Sequence, residues 1–218
     1  MSELEVLDML NENLRDQVIV YLNGKMMQKT KVFRDFELRF ISEITFLFQN
    51  VFFSVDDVII DEGDDTDEMY FISKGSVLVL HRHSHTYINE LKNDDYFGEI
   101  SFFSSNRRAA TVKSRGFSET LMLPRDEFLQ MLEFYPESKR IYEEKQRAID
   151  DEGRLDTIYV DCYLCGEGGH IALDCSWYSQ ISGNLRMKGD MLKQTIRRMK
   201  SKIRKEISPK EAYRNPVE

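Results

Sequence analysis

Apolar residues in the first 50 positions recur at a helical period. Leu14, Val18, Leu22 and Met26 stand four apart with charges between them, and Phe36, Phe40, Ile44 and Phe48 repeat the spacing. Residues 1–50 therefore read as helical, with Gly24 weakening the first helix near its end. After Val51 the period shortens. The runs Val58–Ile60, Met69–Ile72, Val77–Leu80, Tyr87-Ile88, Ala110–Val112 and Thr120–Leu123 alternate with turns such as Glu62–Asp65, Lys74-Gly75 and Lys92–Asp95. Short strands separated by turn signals predict a small antiparallel barrel or sandwich. Pro124 suits the first turn of a helix whose apolar face is Phe128, Leu129, Leu132 and Phe134, and Pro136 ends it. A charged helix is expected from Glu137 to about Asp151, closed by Gly153, with Leu155–Asp161 as a linker. Near the end, Leu192, Ile196, Met199, Ile203 and Ile207 form the stripe of an amphipathic basic helix, and Ser208–Glu211 is a capping box for a last short one.

Composition narrows the class. At 218 residues and 41% apolar, the chain can bury one core with an appendage, or form two small domains. Its 14 Phe and 10 Tyr exclude a wholly disordered protein. No apolar run approaches the roughly 20 residues that span a bilayer, and the acidic Met1–Glu5 is unlike a secretory leader. The net charge of −8 conceals an asymmetry: Ser176–Glu218 carries 11 Lys and Arg against 4 Asp and Glu, so residues 1–175 hold a net −15.

The segment from Tyr96 to Val112 carries the most specific chemistry. Gly98 lets a backbone approach a ligand closely. A short helix over Glu99–Phe103 would aim its first amides, those of Ile100 and Ser101, at an anion. Arg108 can clamp two phosphate oxygens, and Glu99 can accept from a sugar hydroxyl. A hairpin loop with a surface arginine is the plainer reading of an isolated Gly-Glu and Arg. The longer pattern Phe97-Gly98-Glu99, apolar helix, then Arg108-Ala109-Ala110-Thr111-Val112 nine residues after the Glu, weighs against it.

This segment resembles the phosphate-binding cassette of the cyclic-nucleotide-binding domain family. Its flanks Ile59–Asp64, Met69–Ile72 and Lys74-Gly75 match the family's turn, strand and turn. The resemblance covers roughly residues 10–150. It implies an α+β fold: an antiparallel, jelly-roll-like β-roll with flanking N- and C-terminal helices. It also implies that Arg108 pairs with the cyclic phosphate of cAMP or cGMP and Glu99 accepts the ribose 2′-hydroxyl. Gly98, Ile100, Ser101, Ala109, Ala110 and Thr111 would complete the site, and the Glu137–Asp151 helix would act as a lid. Ala109 leans towards cAMP, since cGMP-selective relatives often carry Thr or Ser there. Asp57 and Asp94 replace turn glycines, and Phe102 and Phe103 replace leucines. The stretch Asn13–Val18 through Leu22–Lys25 and Val32-Phe33 resembles the end of the linker that joins a pore to its nucleotide domain in nucleotide-regulated or voltage-gated cation channels of the potassium-channel type. That implies a cytosolic region at the cytoplasmic face of a membrane, tethered to a tetrameric pore.

Cys162, Cys165, His170 and Cys175 are spaced Cys-x2-Cys-x4-His-x4-Cys and include every cysteine of the chain. Three thiolates and an imidazole make a closed tetrahedral Zn²⁺ site, with no open position and hence a structural role. A loop of this size buries no useful core, so the metal would supply its folding free energy. Gly166 and Gly169 permit tight turns. The motif resembles the retroviral-type zinc knuckle. Tyr163, Trp177 and the basic tail offer contacts for single-stranded nucleic acid, although the knuckle itself has no Lys or Arg. The tail also suits anionic lipid, a calmodulin-like partner, or packing on the acidic body.

His81, His83 and His85 would share one strand face that could hold a metal, but an exposed hairpin tip explains them better. No catalytic motif is present, so no enzyme is expected. The expected organisation is linker-like helices over 1–33, a nucleotide domain over 34–152, a linker over 153–161, a zinc knuckle over 162–175 and a basic helical tail over 176–218. The leading function is cyclic-nucleotide sensing that regulates a channel. The alternative is a zinc-knuckle adaptor for single-stranded nucleic acid or a protein. A kinase regulatory subunit is disfavoured by the single cassette.

Overall fold

The computed structural model describes residues 9–82 and 86–178. The expected tail helices, His83, His85 and residues 1–8 lie outside the described residues.

Helix α1 spans Glu12–Lys29, and the Asn11 side chain caps it by accepting from the Leu14 amide at 2.9 Å. Of the predicted stripe, Leu14 is 47% exposed and Met26 packs only partly buried against the core, while its neighbour Met27 enters the interior. A 3-10 turn over Lys31–Phe33 buries Val32 and Phe33. Helix α2, Leu38–Ile44, buries Phe40 and Ile44 as the spacing predicts, and runs into a 3-10 turn over Thr45–Leu47.

The strands are β1 Gln49–Phe53, β2 Val58–Ile60, β3 Met69–Lys74, β4 Ser76–His81, β5 Thr86–Lys92, β6 Tyr96–Phe97, β7 Thr111–Ser114 and β8 Ser118–Leu123. Helix α3, Glu99–Phe102, sits between β6 and β7. They form two four-stranded sheets, β1-β8-β3-β6 and β2-β7-β4-β5, with every pairing antiparallel. The fold is the expected α+β class, an antiparallel β-roll flanked by helices. Two strands escaped the sequence reading. β1 follows directly on a helical apolar pattern and is specified by pairing with β8 along its whole length, from Gln49↔Met122 to Phe53↔Ser118. β6 is two residues long and takes its geometry from β3.

Beyond β8, Pro124 precedes α4, Arg125–Leu132, and Pro136 is the first residue of α5, Pro136–Glu152. Gly153 closes α5 at φ 67°, a left-handed conformation that suits glycine. The expected linker contains a 3-10 turn, Leu155–Ile158, whose Ile158 is fully buried.

Two buried clusters result. In the first, helices pack on the β1-β8-β3-β6 sheet around an aromatic nest. Phe128 meets Phe40 at 5.3 Å and Phe102 at 4.9 Å between ring centres, and Tyr142 of α5 meets Phe103 at 5.5 Å. Phe102 and Phe103, the departures from leucine, are thus built into this nest. The second cluster lies inside the roll, with Ile60, Val79, Leu91 and Val112 among its buried members. Cys162, Leu164, Ala172 and Cys175 belong to it, so the cysteine loop packs into the mouth of the roll.

Candidate functional site

A cavity of about 380 Å³ opens at that mouth, within the range of about 300–1,000 Å³ typical of small-molecule sites. Of the eight sequence-predicted nucleotide residues, Gly98, Glu99, Ile100, Ser101, Arg108, Ala109 and Ala110 line it. Thr111 does not. Its hydroxyl donates to Asp61 Oδ1 at 2.8 Å and accepts from the Glu62 amide at 3.1 Å, tying β7 to the turn after β2.

Gly98 is required where it stands. It caps α3 at φ 89°, and a Cβ there would lie 2.7 Å from the Glu68 carbonyl and 2.8 Å from Arg108 Nη1. The first amides of α3 have no partner within the helix and point out of its N-terminal end. Among the substituted turn glycines, Asp94 takes a left-handed φ of 72°. At the other turn Asp56 does so (φ 66°), while the Asp57 carboxylate accepts from the Ser54 amide at 2.7 Å.

Arg108 is only 3% exposed. Its Nε donates to Thr66 Oγ1 at 3.0 Å, Nη1 to the Gly98 carbonyl at 3.2 Å, and Nη2 to the Glu68 carbonyl at 2.8 Å and the Glu68 carboxylate at 3.0 Å. Burial draws its pKa down, against the opposing pull of Glu68, Tyr70 and Asp67. The guanidinium is thus fixed in place, with one carboxylate balancing its charge. Glu99 is buried. Burial raises its carboxyl pKa, opposed by a hydrogen bond from its own backbone amide and by Arg108. The sequence reading missed Glu68 and Thr66 as the groups that orient Arg108. Thr66 lies within the acidic run Asp64–Asp67 and Glu68 just after it, a run that reads in sequence as a solvated turn, and only the fold brings them to the cassette.

The opposite wall of the cavity comes from Tyr159, Val160, Asp161, Tyr163, Ile171, Ala172 and Leu173. Among the described residues, no cavity-lining residue comes from α5, the helix expected as a lid. That helix is bonded to the back of the cassette instead. Tyr142 OH donates to the Phe102 carbonyl at 3.1 Å and accepts from Arg125 Nε at 3.0 Å, and the Ser105 amide donates to Asp150 at 2.9 Å.

Cys162, Cys165, His170 and Cys175 converge. Their ligand atoms all lie within 4.8 Å of one another, and the three cysteines form no disulfide. Tetrahedral Zn²⁺ would set neighbouring ligand atoms about 3.5–3.8 Å apart, and Cys165 Sγ already stands 3.4 Å from His170 Nε2. The backbone is wrapped as a metal loop needs. Gly166 N–H donates to the Cys162 carbonyl at 2.8 Å, Glu167 N–H donates to Cys165 Sγ at 3.4 Å, and Gly166 and Gly169 take positive φ. Burial pushes the Cys162 thiol up to about 11. Burial also pushes Cys175 up, but hydrogen bonds from His170, the Trp177 amide and the neighbouring thiols outweigh it and hold this thiol below its ordinary value. The donor set and its spacing fit a Zn²⁺ ion. His81, from the alternating histidines, instead pairs with Glu62 Oε1 at 3.4 Å and with Tyr178 OH at 3.0 Å.

The sequence profile of the cyclic nucleotide-binding domain matches residues 50–135, which span both sheets and the whole cassette. These residues are a cyclic nucleotide-binding domain. Over 154 residues, 68% of this chain, the sequence is 33% identical to human cyclic nucleotide-gated channel alpha-3. It is likewise 33% identical over 154 residues to the chicken cyclic nucleotide-gated channel cone photoreceptor subunit alpha, and 32% identical over 162 residues, 71% of the chain, to bovine cyclic nucleotide-gated channel alpha-2. The matches cover 22%, 21% and 24% of those three proteins, so the chain spans under a quarter of the length of the curated relatives it matches. Among the described residues no helix is long and apolar enough to cross a membrane.

Proposed function

We propose that the chain is a cyclic-nucleotide-sensing regulatory region that couples ligand binding to the gating of a cation channel. The observation that carries this reading is the convergence of Arg108, Glu99 and the α3 amides on one cavity of nucleotide size. The cyclic phosphate would sit against the amides of Ile100, Ser101 and Ala109 and the Arg108 guanidinium, and the ribose 2′-hydroxyl would donate to Glu99. The phosphate would share Arg108 with the Glu68 carboxylate. Ala109 brings no hydroxyl to the cavity, which favours cAMP over cGMP. The sensor occupies 34–152, and residues 1–33 couple it to a tetrameric pore at the cytoplasmic face of a membrane.

A route for coupling is built of named contacts. The cassette reaches α5 through Tyr142 and Asp150. From α5, Lys145 donates to Asp35, just before α2, and to the Thr157 carbonyl, each at 2.6 Å. Tyr159, a cavity residue, donates to the same Asp35 at 3.1 Å. Ligand that binds one arrangement of this junction better than another shifts its population and so moves the N-terminal helices.

The loop over 162–175 would hold one structural Zn²⁺ on Cys162, Cys165, His170 and Cys175, with residues 153–161 as its linker. An adaptor role for single-stranded nucleic acid finds less support. Tyr163, the knuckle's stacking candidate, faces the cavity and is not free to meet a base on an outer surface. Partners of the basic tail, anionic lipid or a calmodulin-like protein included, concern residues outside those described.

Titration of the full chain with cAMP and cGMP tests the reading. Saturable binding is expected, tighter for cAMP, and Arg108→Ala should weaken it on the order of a hundredfold, the scale of losing a buried charge-assisted contact. Binding unchanged in a folded Arg108→Ala chain contradicts it.

A further inference from the structure

We infer that the Cys162–Cys175 loop is a wall of the nucleotide cavity, so that metal occupancy sets nucleotide affinity; this rests on the nucleotide reading proposed above. Two of the four metal-type ligands, Cys162 and Cys175, are buried in the same cluster as the interior of the roll. The residues between the ligands complete the cavity: Tyr163, Ile171, Ala172 and Leu173 face the cassette residues Gly98, Glu99 and Arg108 across one space. This wall is apolar where the cassette is polar, as the base and the phosphate of a nucleotide require.

The wall is held by its ligands together with the few apolar side chains it buries. The loop contributes Cys162, Leu164, Ala172 and Cys175 to the interior, and its own backbone is fastened by turns at Gly166 and Gly169 and the bridge between Asp161 and Gly168. A loop of this length depends on its metal for folding. Losing the metal would therefore loosen Ile171–Leu173 and Tyr163 together. Lys31 pairs with Asp161 at 2.6 Å on the N-terminal side of the segment, and Tyr178 bonds His81 at 3.0 Å just beyond its end, so the stretch between His170 and Cys175 is held by its two end ligands, the buried Ala172 and that flanking contact. With the loop seated, the cavity still measures about 380 Å³. The loop thus shapes the space without filling it, and a metal-loaded chain should bind nucleotide more tightly than a stripped one. Linkage makes the effect reciprocal: bound nucleotide must strengthen metal retention by the same factor.

The test uses the full chain, with zinc content measured by mass spectrometry and cAMP affinity measured before chelation, after chelation and after zinc is restored. The expected result is one zinc per chain, a loss of cAMP affinity of about tenfold on stripping, and recovery on refilling. Saturating cAMP should slow zinc loss to a chelator. Leu173→Ala, which leaves all four ligands in place, should retain zinc and weaken cAMP binding about fivefold, the cost of part of one apolar side chain. This variant keeps the test decisive if stripping unfolds more than the loop. CAMP affinity unchanged or improved by stripping, unchanged in Leu173→Ala, or a chain that binds cAMP without stoichiometric zinc, overturns the inference while leaving the nucleotide site standing. Failure of the zinc-loaded chain to bind any cyclic nucleotide instead overturns the site reading on which it rests.

Discussion

Arg108 and Glu99 are opposite charges placed in a chain whose first 175 residues carry a net −15. Each is buried, and each is handled differently. The arginine is compensated at Glu68 and immobilised by Thr66 and two carbonyls, so it presents a fixed cation. The glutamate is held mainly by burial, which raises its pKa above the ordinary 4.5. The native state therefore binds this proton more tightly than the unfolded chain. The contribution of Glu99 to stability falls as pH climbs from about the ordinary value through the raised one. Glu99→Gln removes that penalty. Thermal melts across this acid range should show a flatter profile for the variant and a higher melting temperature at pH 7. The same change should weaken cAMP about tenfold, because a neutral amide oxygen is a poorer acceptor than a carboxylate for the ribose hydroxyl. A variant that is destabilised at pH 7 would contradict the assignment of Glu99 as a buried, costly charge.

Among the elements, α3 and α5 form a pair. The short cassette helix has four residues and little stability of its own. It is held from behind by Phe102 and Phe103 in the aromatic nest and by the Tyr142 hydroxyl on the Phe102 carbonyl. Tyr142→Phe removes that hydroxyl, leaving the Phe102 carbonyl and Arg125 short of a partner. It should cost about 1–2 kcal/mol in chemical denaturation, and should lower cAMP affinity without touching the cavity. An unaltered denaturation midpoint and affinity would show that α5 does not brace the cassette. The elements also show where sequence reasoning reaches. The Phe40 and Ile44 spacing, the Phe128 and Leu132 positions and the Gly153 boundary are local signals that appear in the structure as read, whereas the helix expected to run to Pro136 ends at Leu132, Phe134 lies beyond it 78% exposed, and Pro136 instead begins the next helix. Strand β1 was hidden because Gln49–Phe53 has no alternation of its own and is defined by β8, more than 60 residues away in sequence. The Leu14 stripe marks a real helix, but Leu14 stays 47% exposed and Met27, off the stripe, is the residue buried, so periodicity gave its existence but not its burial.

At the scale of the whole molecule, the cassette and the Cys-Cys-His-Cys spacing were each legible as separate motifs, since each is carried by short-range residue order. Their meeting was not. Nothing in the order of residues says that the loop after α5 turns back into the mouth of the roll, or that the cavity wall facing Arg108 comes from Tyr163 and Ile171–Leu173 while α5 lies behind the cassette. The reason is physical. The only chain-local hint is the short stretch from 153 to 161, which keeps the loop near the roll. Its docking is decided by Leu164 and Ala172 entering the apolar space between the sheets. A cyclic nucleotide-binding domain and a proposed metal-folded wall thus share one ligand space.

The most direct test of that claim is photo-crosslinking of the full chain with an azide-bearing cAMP analogue reactive at its base, followed by peptide mapping. The account predicts labelling that saturates, that excess cAMP suppresses, and that falls on cavity residues of the 159–173 segment and the facing strands β4 and β5. Labelling on α5, or labelling that cAMP does not compete away, would contradict it.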